Sequence, residues 1–200
     1  MARAKADVAT VRAKLLAEAE RMLAQTRGRR LVLSELAQRV GMSQSYAHRF
    51  FPTKADLVRA LAARWFREVE AASAEAASLD LAPAERLERW VLALLSLKRD
   101  RYDADPAVFD AYLALAADHM DLVAAHTDRL TDDLRRILSD LVSPADLERA
   151  VQTVEDATML FRVPFAISRF RDRATDDRAR AVVAALLPAL SRPGGTATGG

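Results

Sequence analysis

Five residues between positions 44 and 49 carry side chains suited to reading the edges of nucleic-acid bases: Gln44, Ser45, Tyr46, His48 and Arg49. On a helix turning ~100° per residue they fan over one side, while Ala47, Phe50 and Phe51 gather on the other. Glutamine can grip adenine and arginine can grip guanine through two parallel hydrogen bonds. Gln44 and Arg49 are therefore the better candidates for base contacts. Plain solvation also produces polar helix faces, so the surrounding residues have to decide between the two readings.

Those surroundings form a frame. Leu36, Ala37 and Val40 recur at helical spacing and make the buried side of a short helix. Gly41 ends it, because a tight helix–helix turn needs a left-handed residue, which is cheap only without a Cβ. Met42 packs inward and Ser43 stands at the N-cap of a helix over 44–51. Thr53 and Asp56 then have the spacing of a capping box for a third helix. Lys54 falls in its first turn, where the helix dipole favours an acid. A cation there makes sense if a phosphate joins it and the exposed amides, so Thr53 and Lys54 are expected to touch the DNA backbone.

The run Leu36-Ala37, Gly41-Met42-Ser43, Arg49-Phe50-Phe51-Pro52-Thr53-Lys54 and Leu57 resembles the helix-turn-helix of the TetR family of bacterial transcription regulators, and fits its spacing without a gap. Two positions depart from the family pattern. The usual Thr ahead of the first short helix is Val32, with Ser34 the nearer cap candidate, and the usual Tyr of the recognition helix is His48. Ser43-Gln44-Ser45-Tyr46 is similar to the wording of one branch of the family. The resemblance implies a DNA-binding set of Ser34, Ser43, Gln44, Ser45, Tyr46, His48, Arg49, Thr53 and Lys54. It also implies an all-α fold, with a helix-turn-helix head followed by a helical bundle that dimerises and binds a ligand.

Charge distribution agrees with such a head. The 200-residue chain has a formal net charge of only +2, but residues 1–54 hold eleven Lys/Arg against four Asp/Glu, and residues 55–200 hold nineteen against twenty-four. Arg outnumbers Lys 26 to 4 throughout, which weakens any argument from Arg richness alone. Cysteine is absent, which excludes disulfides, thiolate metal sites and cysteine nucleophiles. No apolar run is long enough to span a bilayer and the N-terminus lacks a signal-peptide pattern, so a cytoplasmic protein without membrane contact is expected.

Stepwise periodicity predicts nine helices and no strand. Arg3 and Lys5 precede a first helix over 7–27 with Val8, Val11, Leu15, Ala19 and Met22 or Leu23 inward and Gly28 at its end. Leu57, Leu61, Trp65 and Val69 mark a long helix from Lys54 to about Ser78. Pro83 opens a helix to about Arg99 with Leu87, Trp90, Val91, Leu94 and Leu95. Asp105-Pro106 opens another with Phe109 and Tyr112. Val123, Thr127, Leu130, Leu134, Ile137 and Leu141 form a clean stripe over 119–142. Ser143-Pro144-Ala145-Asp146 is expected to cap a helix to Phe165 that Pro164 bends or ends, and a last helix covers 176–190. The expected division is a head over 1–53, a connecting helix over 54–78, a ligand-binding and dimerisation domain over 79–190, and a Gly-rich disordered tail over 191–200.

By resemblance to the family, the last two helices pair with those of a second copy, placing Phe161, Phe165, Val183, Leu186, Leu187 and Leu190 at a homodimer interface. A dimer also suits recognition of a palindromic double-stranded operator, since two half-sites lie about one helical turn (~34–36 Å) apart. The family cavity would be lined by Trp90, Leu94, Tyr102, Phe109, Tyr112 and Met159, though aromatics at helical spacing also build plain core. No inward stripe shows a polar cluster, so a small-molecule effector is expected to be lipophilic. His119 and His126 are two turns (~10.5 Å) apart, too far to share a metal ion unaided. No cofactor is implied, and no phosphate loop or nucleophile motif points to an enzyme. The expected activity is a repressor released by its effector. The alternative is a ligand-independent DNA-bound protein whose body recruits a protein partner, and a bundle enzyme or lipid carrier comes third.

Overall fold

A computed structural model describes residues 2–26 and 30–190, with side chains from Val8 onward; the side chains of Arg3 and Lys5, Gly28 and the tail 191–200 lie outside what is described, and the first helix, expected from residue 7, already includes Arg3 and Lys5 in its backbone. The described chain is all-α: α1 Ala2–Thr26, α2 Leu33–Arg39, α3 Gln44–Ala47, α4 Lys54–Ala77, α5 Pro83–Ala104, α6 Pro106–Ala117, α7 Met120–Leu138, α8 Leu147–Ala157, α9 Met159–Arg162, α10 Pro164–Arg169, a 3₁₀ turn Arg171–Arg173, and α11 Asp176–Leu190. It packs as two compact units, residues 1–66 with 104–123 and residues 67–103 with 124–200.

In the first unit the inner stripe of α1 begins at Leu15 and continues through Leu16, Ala19, Met22 and Leu23, all buried, whereas Val8 is exposed and Val11 only half-buried. Leu36, Ala37, Ala47, Phe51, Leu57 and Leu61 complete the core around them. Trp65 packs against Phe109 and Tyr112 of α6 at ring separations of 5.5 and 5.1 Å, and the Tyr112 hydroxyl donates to Glu20 at 2.9 Å. Arg59 pairs with Asp121, joining the start of α7 to α4.

The second unit has a core of Val69, Leu87, Trp90, Val91, Leu94, Leu95, Leu130, Leu134, Ile137, Val151, Val154, Phe161, Ile167, Val183 and Leu190. Here the single helix expected over 144–165 is three. Asp146 N–H bonds Ser143 O at 3.0 Å and the Ser143 hydroxyl donates to Asp146 at 2.8 Å, so 143–146 close a turn and α8 starts only at Leu147. At Thr158 the hydroxyl bonds back to Val154 O at 2.6 Å, which competes with the backbone ladder and separates α8 from α9. Pro164 has no N–H to donate and forces Val163 into extended backbone (φ −83°, ψ 119°), separating α9 from α10. The helix count is therefore eleven among the described residues, not nine.

One more expectation changes. Thr127 is exposed and its neighbour His126 is buried, together with Ser73, Lys98, Asp133 and Thr158. The inward faces of the second unit do carry a polar cluster. No described helix is long and apolar enough to cross a membrane.

Candidate nucleic-acid interface

The local geometry of residues 33–56 follows from a few polar bonds. Gly41 adopts φ +71°, the left-handed turn between α2 and α3. Ser43 Oγ accepts from Tyr46 N–H at 3.3 Å, satisfying one of the orphan amides of α3. Ser34 does not cap: α2 begins at Leu33 with Val32 at its N-cap, and a valine offers no side-chain acceptor. The α-helical part of the recognition segment stops at Ala47. Residues 48–51 continue it in tight turns, with Arg49 N–H to Tyr46 O at 3.1 Å and Phe50 N–H to Ala47 O at 3.0 Å.

Ala47 and Phe51 are buried and anchor this segment, and the Arg12 guanidinium lies over the Phe51 ring at 5.1 Å. Ser34, Ser43, Gln44, Ser45, Tyr46, Arg49, Thr53 and Lys54 are exposed, and His48 is half-buried. Tyr46, 40% exposed, packs its ring edge-on against Phe50 at 5.2 Å, which fixes the direction of its hydroxyl. Arg49 and Lys54 have no acidic partner among the described residues, so both cations remain available to an anion.

His48 and Thr53 are less available than their exposure implies. His48 Nδ1 is 3.0 Å from Pro52 O, and a carbonyl only accepts, so Nδ1 carries the proton. In the neutral ring Nε2 is then an acceptor, and it faces the Gln44 amide nitrogen at 3.4 Å. Thr53 and Asp56 form a reciprocal box: Thr53 N–H reaches Asp56 Oδ2 at 2.9 Å and Asp56 N–H reaches Thr53 Oγ1 at 3.1 Å. The Thr53 hydroxyl also gives its proton to Asp56 at 2.7 Å, so a phosphate would meet it as a donor only after it turns.

Residues 83–183 match the sequence profile of the family described as tetracyclin repressor-like, C-terminal domain. The chain belongs to the TetR family. Members of this family are DNA-binding transcription regulators and not enzymes. Solved TetR-family structures share the fold. The transcriptional regulator PfmR from Thermus thermophilus is 20% identical, covering 89% of this chain and 94% of its own, with a TM-score of 0.55. A regulatory protein from Rhodococcus RHA1 is 21% identical, covering 90% and 95%, with a TM-score of 0.57. A regulator from Streptomyces coelicolor A3 is 23% identical, covering 90% and 94%, with a TM-score of 0.55. No curated protein matches the sequence.

The residues singled out for a TetR-type cavity fall into different places. Trp90 and Leu94 are fully buried in the second unit, Tyr102 is half-buried there, and Met159 is exposed on α9. Phe109 and Tyr112 belong to the first unit. Of the residues singled out for dimer contact, Phe161, Val183 and Leu190 are buried within the single chain, Leu186 and Leu187 are half-buried, and Phe165 is 67% exposed. Val163 and Phe170, which the periodicity does not single out, are exposed alongside Met159 and Phe165 on the short segments after the α8–α9 break.

Proposed function

We propose that this TetR-family regulator is a homodimeric repressor that binds a palindromic operator and leaves it when a small, largely apolar molecule occupies its C-terminal body. The observation that carries the DNA contacts is the exposed face of Gln44, Ser45, Tyr46 and Arg49 on a segment anchored by Ala47 and Phe51, with Lys54 one turn away at a capped helix start. Gln44 and Arg49 read bases, Ser43 and Lys54 hold phosphates, and His48 positions Gln44. The exposed Met159, Val163, Phe165 and Phe170 make an apolar surface of the kind that a second copy would cover. Ligand binding then favours a dimer geometry in which the two recognition segments no longer match the half-site spacing.

The test is binding of the purified protein to DNA from upstream of its own gene, at several salt concentrations with a scrambled competitor. Sequence-specific, salt-dependent binding to a palindrome supports the reading. Binding that is weak and indifferent to sequence counts against it and favours a body that recruits another protein. A groove of about 380 Å³ in the second unit, lined by Ala76, Leu79 and Leu92 on its apolar side and by Glu75, Arg89 and Arg180 among its charged residues, is the feature that favours this second reading.

A further inference from the structure

The first unit has a groove of its own, about 370 Å³ in volume, walled by Phe50 and Phe51 at the end of the recognition segment, Ala60 and Ala63 of α4, and Leu122 of α7. Phe51 and Ala60 are buried, but Phe50, Ala63 and Leu122 are only half-buried. Apolar surface therefore remains in contact with water along this groove, and covering it is favourable. The volume falls in the range of small-molecule sites, ~300–1,000 Å³.

Three charged side chains also line the groove: Arg12, Asp56 and Arg59. Two of them are engaged. Asp56 Oδ2 accepts the Thr53 N–H at 2.9 Å and the Thr53 hydroxyl at 2.7 Å, and Arg59 pairs with Asp121. Arg12 is exposed and has no acidic partner among the described residues. Its guanidinium lies over the ring of the fully buried Phe51 at 5.1 Å, so a rigid anchor holds this cation at the groove. An aromatic ring offers no lone pair, and the forked donors of Arg12 stay open to an acceptor. Such a fork matches a carboxylate through two parallel N–H···O bonds.

We propose that this groove binds a small aromatic carboxylate, whose acid group takes the guanidinium of Arg12 and whose ring packs on Phe50 and Leu122. Flat partners favour a flat ligand, since Phe50, Phe51 and the Arg12 fork all gain from stacking or edge contact with a ring. An operator phosphate has the charge but no apolar body with which to cover Phe50 and Leu122. The site lies in the same unit as the helix-turn-helix and is separate from the effector proposed above for the body. Phe50 also packs edge-on against Tyr46 at 5.2 Å, so an occupied groove bears on a ring that supports the proposed base-reading face.

The experiment is calorimetric titration of the full-length protein with 2-naphthoate and, for comparison, 2-naphthamide, using wild type, Arg12→Gln and Ala63→Met, with circular dichroism to confirm retained helix. Arg12→Gln removes the cation from an exposed position. Ala63→Met fills the groove without touching a charge. The expected result is saturable binding of the acid to wild type, binding of the amide weaker by about tenfold or more, the scale of a lost charge-assisted hydrogen bond, and the same loss of acid binding in both variants. Equal binding of acid and amide, acid binding that survives in both variants, or no saturable binding at millimolar concentration overturns the proposal. A groove that serves DNA gives a different pattern: Arg12→Gln lowers operator affinity for all sequences and the salt slope by about 1 while 2-naphthoate fails to bind wild type, and this too overturns the proposal.

Discussion

His48 Nδ1 donates to Pro52 O at 3.0 Å, tying the end of the recognition segment to the residue that leads into α4. The same bond makes Nε2 the acceptor that faces Gln44. In the proposed interface His48 would act on DNA through Gln44 and through the turn, with its own ring only half-exposed. His48→Ala should lower operator affinity about five- to tenfold, the scale of one lost hydrogen bond, and should relax preference at the base pair read by Gln44. Competition binding with operators substituted one base pair at a time checks this. Loss of affinity that is uniform over all positions would place His48 outside the reading of bases.

Arg49 and Lys54 should fail in different ways. An arginine that grips a base edge costs ~1–3 kcal/mol when removed and relaxes specificity at its position, whereas a lysine on a phosphate weakens binding to all sequences and lowers the salt slope by about 1. Arg49 and Lys54 are both exposed and unpaired with any acid among the described residues, so replacing either with Ala should not unfold the protein. Affinity measured against salt for both variants decides it, and wild-type behaviour in both would remove this face from the groove.

The contrast between what the chain shows locally and what only packing reveals is clear in these residues. Gly41, Ser43 and the Thr53–Asp56 box are legible in sequence because each depends on a backbone bond within three residues of itself. Pro164 signals one helix break for the same reason. Thr158 does not signal the other, since threonine inside a helix bonds back to the preceding turn only in some contexts. Lys98 is the sharpest case. It continues the helical stripe formed by Val91, Leu94 and Leu95, so its burial is written in the spacing, but its charge argues for solvent. His126 falls one turn before Leu130 and hides behind Thr127 in the same way.

Phe165 is 67% exposed, although α10 is otherwise anchored by buried Ile167. An aromatic ring left in water beside Val163 and Met159 is expected to be covered by a second copy. Phe165→Glu should shift the dimer towards monomer, since the new carboxylate would lose its hydration on association. Sedimentation at several protein concentrations, with circular dichroism to confirm retained helix, measures it. An unchanged dimer would place the subunit contact elsewhere on the second unit.

Lys98 makes stability depend on pH in a defined direction. Burial, and then the neighbouring Arg162 of α9, bring its amine down to about 7 in the folded chain from the ordinary 10.5, and His126 of α7 lies within reach of its charge. Between these two values the unfolded chain binds a proton that the folded chain has released, so raising the pH favours folding. The cost of a charged buried amine is complete below about pH 7 and is relieved on the way to about pH 10, by an amount on the order of a few kcal/mol. Lys98→Met fills similar space without the charge, so it should be the more stable protein at neutral pH and should lose most of this pH dependence. Urea unfolding at fixed protein concentration across that pH range checks both statements. Equal slopes for wild type and variant would mean that Lys98 remains protonated in the folded chain, compensated by an anion already within it.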